Sequence, residues 1–173
     1  RAGAASRTLR LELAAEGGGP AVALSPDGRW LAGGAATGAV VVWDTQTGKI
    51  AQRLTGHKQQ VQGIVFSPDG RHMATTGDDR VPRLWDTPTW RSTALDEHGH
   101  IARSIVFSPD SRWCVTACWD GWCRVFSAVD GKLVQQFRQR TPSLDGVCFT
   151  ADGDLIALAE ADGSVSFRDT RSW

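Results

Sequence analysis

The chain has 173 residues, 41% of them apolar, and its 19 basic and 19 acidic side chains cancel to zero net charge. One ordinary core can be built from this, whereas the basic excess usual in a nucleic-acid binder is missing. No apolar run approaches the roughly 20 residues a membrane helix needs, and no basic start with an apolar centre marks a secretory signal, so the expectation is an intracellular protein without membrane insertion or specific nucleic-acid contacts.

Residues 1–7 read as a flexible lead-in. Thr8-Leu-Arg-Leu-Glu-Leu13 alternates apolar and polar side chains, as a strand does. Gly17, Gly18 and Gly19 precede a strand rather than open a helix and read as a linker. Then a phrase recurs. Val22–Gly28 reads V-A-L-S-P-D-G, Ile64–Gly70 reads I-V-F-S-P-D-G, and Ile105–Asp110 reads I-V-F-S-P-D. Ser25, Ser67, Ser108 and Thr150 fall 42, 41 and 42 residues apart, and Trp43, Trp85, Phe126 and Arg168 keep the same spacing. Two markers drifting together indicate four copies of one unit.

The second copy displays the unit best. Val61–Phe66 is apolar and β-prone, and Ser67-Pro-Asp-Gly70 has the residues of a type I turn. Arg71–Thr76 is the next strand, Gly77-Asp-Asp79 turns the chain, Val81–Asp86 is a third strand, and a fourth follows near Arg91–Leu95. Pro82 removes a ladder hydrogen bond from that third strand, so a bulge is expected at Arg80–Pro82. In the first copy the fourth strand is clearer, at Lys49–Leu54. Four short strands in about 42 residues is the period of a propeller blade rather than of a helical repeat. The expected fold is therefore all-β, with four-stranded antiparallel blades at residues 20–54, 61–95, 102–137 and 144–169. The last copy has strands near 144–149, 154–159 and 164–169 and no outer strand; the stretch 8–13 is the piece that would complete a blade.

The unit resembles the WD-repeat β-propeller family. Trp43-Asp44 and Trp85-Asp86 match its namesake pair, and Gly56-His57 its other marker. The resemblance runs from about Leu9 to Trp173 and implies a polar network in each blade. In the second blade it falls on His57, Thr75, Asp79 and Trp85: Asp79 accepts from the His57 ring, the other ring nitrogen meets the Thr75 hydroxyl, and that hydroxyl takes the Trp85 indole N–H. The third copy keeps His98, Thr116 and Asp120, but Phe126 cannot donate. The first offers Gly33 and Thr37 in two of the slots, and the fourth keeps only Asp162, with Leu158 and Arg168 in the others. The family usually has about seven blades. Four blades close alone, pair with a second copy, or belong to a longer chain; the decayed copies and the start at Arg1 rather than Met favour the last.

No phosphate loop, nucleophile elbow or paired carboxylates stand out, and no carboxylate or histidine recurs where the inner strands begin, at Pro20, Gln62, Arg103 and Asp145. No enzymatic activity, cofactor or metal is expected. Glu97-His-Gly-His100 is a weak metal pattern, with His98 read as the network histidine and His100 as a loop residue. Cys114, Cys118 and Cys123 lack a C-x-x-C pair and read as packed, reduced thiols, a Cys118–Cys123 bridge staying open as an alternative. Trp43 and Trp85 are expected in the core, and Trp30 and Trp113 on the rim opposite the loop tips. Cys118-Trp-Asp-Gly-Trp-Cys123 carries Trp119 and Trp122 at a hairpin tip, on the face the family most often uses for partners. Arg80 occupies the matching tip one blade earlier, and Lys58, His100 and Arg103 come from connections on that face. Exposed Trp and Arg are interface anchors. The function this implies is a non-catalytic scaffold binding other proteins through that face; the alternative is a sensor or regulatory domain of a larger signalling enzyme, such as a bacterial serine/threonine kinase.

Overall fold

Each copy folds into an antiparallel meander. The computed structural model describes residues 18–172; the stretches 1–7 and 8–13 lie outside the described residues. The strands are β1 (Gly18–Leu24), β2 (Trp30–Ala35), β3 (Val40–Asp44) and β4 (Ile50–Leu54), then β5 (Val61–Phe66), β6 (His72–Gly77), β7 (Arg83–Asp86) and β8 (Arg91–Ala94). The third set is β9 (Ala102–Phe107), β10 (Trp113–Cys118), β11 (Trp122–Ser127) and β12 (Leu133–Arg138), and the last is β13 (Leu144–Phe149), β14 (Leu155–Glu160) and β15 (Val165–Asp169). Strand order within each sheet follows chain order, giving three sheets of four strands and, among the described residues, a fourth of three. The first strands β1, β5, β9 and β13 pack side by side in sequence, which is the radial arrangement of a propeller.

The repeated phrase is the corner between a blade's first and second strands. In Ser67-Pro-Asp-Gly70, the Gly70 amide donates to the Ser67 carbonyl at 2.8 Å. Ser67 Oγ donates to Asp69 Oδ1 at 2.6 Å and accepts from the His72 amide at 2.9 Å, while Asp69 Oδ1 also accepts from the Arg71 amide at 3.0 Å. Ser25 with Asp27, Ser108 with Asp110 and Thr150 with Asp152 make the same serine- or threonine-to-aspartate bond. Each side chain supplies what the turn backbone lacks, so the words repeat because the corner does.

The core lies between sheets rather than within one. Ala32, Val40, Val42 and Leu54 of the first sheet meet Val61, Phe66, Met73 and Trp85 of the second. Ala74, Leu84 and Leu95 of the second meet Ile105, Phe107, Cys114 and Phe126 of the third. Val115, Ala117 and Val125 of the third meet Leu144, Val147, Ile156 and Leu158 of the fourth. Each sheet is apolar on both faces and stable only when stacked. Trp43 and Trp85 are buried.

Two local expectations are corrected. The third strand of the second blade begins at Arg83, not at Val81, because Pro82 has no N–H to give the ladder and its register partner series stops at Thr75–Arg83. The glycine linker is partly strand: Gly18 and Gly19 belong to β1. A side chain on Gly19 would put a carbon 2.4 Å from the Gly34 carbonyl oxygen, so the close approach of β1 to β2 requires the glycine.

Candidate functional site

In the second blade four side chains from three segments meet. His57 Nδ1 lies 2.9 Å from Asp79 Oδ1, and His57 Nε2 lies 2.7 Å from Thr75 Oγ1. Trp85 Nε1 donates to the same Thr75 oxygen at 2.9 Å. The indole can only donate, so Thr75 accepts from it and gives its own proton to His57 Nε2, and His57 donates from Nδ1 to Asp79. Asp79 Oδ2 also accepts from the Lys58 amide at 2.9 Å. Burial alone would raise the Asp79 carboxyl, but the His57 ring and the Lys58 amide outweigh it and hold it below the usual range. Burial keeps His57 below its ordinary value despite Asp79. Gly56 is small because Arg83 passes over it: an added carbon would lie 2.9 Å from Arg83 Nε.

The third blade solves the same problem differently. Phe126 stands where the indole would, and packs edge-on to His98 with ring centres 6.5 Å apart. His98 Nε2 still meets Thr116 Oγ1, at 3.1 Å, but Arg124 Nη1 donates to His98 Nδ1 and to Asp120 Oδ2, the latter at 3.2 Å. Arginine can only donate, so His98 accepts at Nδ1 and donates from Nε2. Exchanging one indole for a phenyl ring has reversed the direction of the hydrogen-bond chain. Burial, reinforced by the Arg124 charge, drives the His98 pKa down to about 4.

At the loop tips above this network, the predicted residues partly converge. Trp119 remains 38% exposed, yet it is held on three sides. Its Nε1 donates to Asp145 Oδ1 at 3.0 Å, the Arg103 guanidinium lies 5.1 Å from its ring centre, and the His100 ring lies 5.4 Å away. Arg80 reaches across from the neighbouring tip, its Nη1 donating to the Gly99 carbonyl at 3.3 Å. Lys58 is exposed on the preceding connection. Trp122 is half-buried at the start of β11, with the Arg124 guanidinium 5.8 Å from its ring centre, and does not join the exposed cluster. Arg80 has a further peculiarity. Gly38, Gly121 and Gly163 fill its place in the other blades with φ of 90°, 79° and 84°; Arg80 adopts φ 65° with a full side chain.

The repeat described as "WD domain, G-beta repeat" matches residues 19–44, 48–86 and 91–127, more than half of the chain. The chain belongs to the WD-repeat family. Among curated WD-repeat relatives, it is 28% identical to Autophagy-related protein 16 of Arabidopsis thaliana over 84% of this chain and 30% of that protein. It is 26% identical to Pre-mRNA-processing factor 19 homolog 2 of the same plant, over 82% of this chain and 28% of that protein. It is 27% identical to the guanine nucleotide-binding protein subunit beta of Zea mays, over 75% and 38%. The chain thus spans well under half the length of these relatives. Among solved structures, the computationally designed Ika4 protein superposes with a TM-score of 0.83 at 22% identity, over 95% of this chain and 98% of that one; at that identity the likeness concerns the β-propeller fold alone.

The WD repeats carry two features that the spacing of single residues did not expose. Thr45 and Thr87, directly after each Trp-Asp pair, and Thr170 in the fourth repeat donate to the carbonyls of Gly28, Gly70 and Gly153 at 2.6, 2.6 and 2.7 Å, locking the lower corner; Ala128 replaces them in the third repeat. Asp145, which anchors Trp119, holds the same inner-strand place as Arg103 one repeat earlier, a pairing visible only once the blades are stacked. His98 and His100 do not converge, since His98 is buried and His100 lies against Trp119. Ligand atoms of His98, Cys118 and Asp120 do lie within 4.8 Å of one another, but Arg124 already satisfies His98 and Asp120. Burial pushes the Cys118 thiol up to about 11, and it donates to the His100 carbonyl at 3.2 Å. Cys114, Cys118, Cys123 and Cys148 are all free thiols, so no Cys118–Cys123 bridge forms, and only Cys148 is exposed. Among the described residues, no helix is long and apolar enough to cross a membrane.

Proposed function

We propose that this WD-repeat chain is a non-catalytic protein-interaction module that engages partners through its loop tips, with Trp119 as anchor and Lys58, Arg80, His100 and Arg103 around it. The observation that carries the reading is the state of Trp119: a large aromatic side chain left partly exposed while Asp145, Arg103 and His100 fix its position. A pre-positioned aromatic surface loses little entropy on binding, which is what an interface hot spot requires. The strained Arg80 beside it supports the same face. The WD-repeat relatives named above are consistent with a scaffold role, and the intracellular setting belongs to the same proposal.

The test is a quantitative capture experiment. Immobilised wild-type chain, Trp119→Ala and Arg80→Gly are compared for the proteins they retain, with Val134→Ser on the outer strand as control. The reading expects both loop-tip variants to lose the same retained species by tenfold or more while the control keeps them. Equal retention by all four abandons this face.

A further inference from the structure

In the third blade, three metal-binding side chains from three segments surround one point. His98 lies in the connection into β9, Cys118 ends β10, and Asp120 lies in the turn before β11. Their ligand nitrogen, sulfur and oxygen atoms all lie within 4.8 Å of one another. His98 and Cys118 are buried, and the Asp120 side chain is only 14% exposed. The cysteine is the part that the repeat does not require, since Ala35, Gly77 and Glu160 hold its place in the other blades. The second blade shows where that place points. A carbon added at Gly77 would lie 2.9 Å from His57 Nδ1 and 3.1 Å from Asp79 Oδ1. A side chain there enters between the histidine nitrogen and the carboxylate, and Cys118 is such a side chain.

The surrounding bonds set each group for a cation. Thr116 Oγ1 lies 3.1 Å from His98 Nε2 and accepts from it, so the Nδ1 lone pair faces the cysteine and the aspartate. A metal-bound imidazole is held in the same way, one nitrogen on the metal and the other donating to an oxygen. The Gly99 and Trp122 amides donate to Asp120 Oδ2 and Oδ1 at 3.0 and 2.9 Å and fix the carboxylate. The Asp120 amide donates to Cys118 Sγ at 3.4 Å, a contact that favours the thiolate. What these groups hold is already a cation: Arg124 Nη1 donates to His98 Nδ1 and to Asp120 Oδ2.

We propose that this pocket is a zinc site, in which the metal replaces the Arg124 guanidinium on His98 Nδ1 and Asp120 and takes Cys118 Sγ as its third ligand. Nitrogen, thiolate and carboxylate together suit zinc, whereas magnesium and calcium take oxygen ligands. The charges balance. Asp120 and the Cys118 thiolate carry two negative charges against the two positive charges of the ion, the thiol proton passes to water, and Arg124, its side chain already 12% exposed, turns out to solvent. Zinc bonds of about 2.0 Å to nitrogen or oxygen and about 2.3 Å to sulfur set ligand atoms roughly 3.3–3.6 Å apart, so the three groups close by about 1 Å once the guanidinium no longer lies between them. Water completes the four-coordinate shell.

Cobalt(II), which takes tetrahedral zinc sites and is coloured there, tests the site on the whole chain with the exposed thiol removed as Cys148→Ser. One equivalent of cobalt gives the near-ultraviolet sulfur-to-cobalt band, and added zinc bleaches it. Cys118→Ser loses the band and Asp120→Asn binds at least tenfold more weakly, both with an unchanged far-ultraviolet dichroism spectrum. Arg124→Val installs the side chain that Val41 supplies in the first blade and removes the competing cation. It binds zinc at least tenfold more tightly than its parent, and its melting temperature rises with added zinc. A gain of affinity in a chain with an unchanged dichroism spectrum does not come from misfolding; if Arg124→Val fails to fold, the band of the parent and its loss in Cys118→Ser decide. No band, a band that survives Cys118→Ser, a band seen only while Cys148 is intact, which is adventitious binding, or a folded Arg124→Val chain that binds no more tightly than its parent overturns the proposal.

Discussion

Asp79 concentrates several demands on one carboxylate. It accepts from the His57 ring and from the Lys58 amide, so Asp79→Ala strands a buried ring donor and a loop N–H together. Unfolding in urea should show a loss of about 1–3 kcal/mol, whereas Asp162→Ala, whose carboxylate serves only the exposed Ser164, should cost far less. His98 predicts a pH effect. Its pKa falls from 6.5 to about 4 on folding, so between those values the unfolded chain holds the extra proton. Stability is complete above pH 6.5 and declines as pH falls toward 4, by something on the order of 2–3 kcal/mol. His98→Gln should flatten that slope in urea midpoints taken at pH 7 and pH 4.5. Arg80 predicts the opposite of a loss. Arg80→Gly gives up an exposed contact to Gly99 and a distant one to Glu97, each worth little, and releases a left-handed backbone strain of roughly 1 kcal/mol. A melting temperature equal to or above wild type, joined to weaker partner capture, is the expected pair of results. The residues of this network in the second blade were legible because each belongs to a recurring word. Arg124 was not: Val41, Arg83 and Ser166 hold its place in the other blades, so no repeat pattern singles it out, and its role exists only because Phe126 left a hydroxyl without its indole donor.

At the level of strands, the repeat beat made the sheets readable, and the misreadings have local causes. Proline shortened β7, and close backbone approach drew Gly18 and Gly19 into β1. Trp90 is a third case. Its place belongs to Gly48 and Gly131 in other blades, at φ of 72° and 73°, yet Trp90 accepts φ 57°. Packing explains it: the ring meets Trp30 edge-on, centres 6.0 Å apart, and closes the lower end of the first junction. Strain in the turn is offset by an aromatic contact that a glycine cannot make. The second blade, which alone has the complete indole-to-carboxylate chain, should be the most rigid element. Amide exchange followed by mass spectrometry should therefore be slowest in β6 and β7 and faster in β2 and β3, where Gly33 occupies the Thr75 slot and no equivalent chain forms. Equal protection across both sheets would mean that junction packing, not the polar network, sets local stability.

At the scale of the whole molecule, stability is a chain of junctions. The middle sheets are clamped on both faces by neighbours, while among the described residues the fourth packs against one neighbouring sheet, the third. In a stacked array each unit's stability is its own contribution plus that of its contacts, so damage at the last junction should stay there. Leu158 is fully buried in that junction. Leu158→Ala should cost about 2–5 kcal/mol, but the cost should appear as rapid exchange confined to β13, β14 and β15, with β5–β8 unchanged. A uniform acceleration through every sheet would instead make the four blades one cooperative unit, in which damage at one junction is felt at all of them.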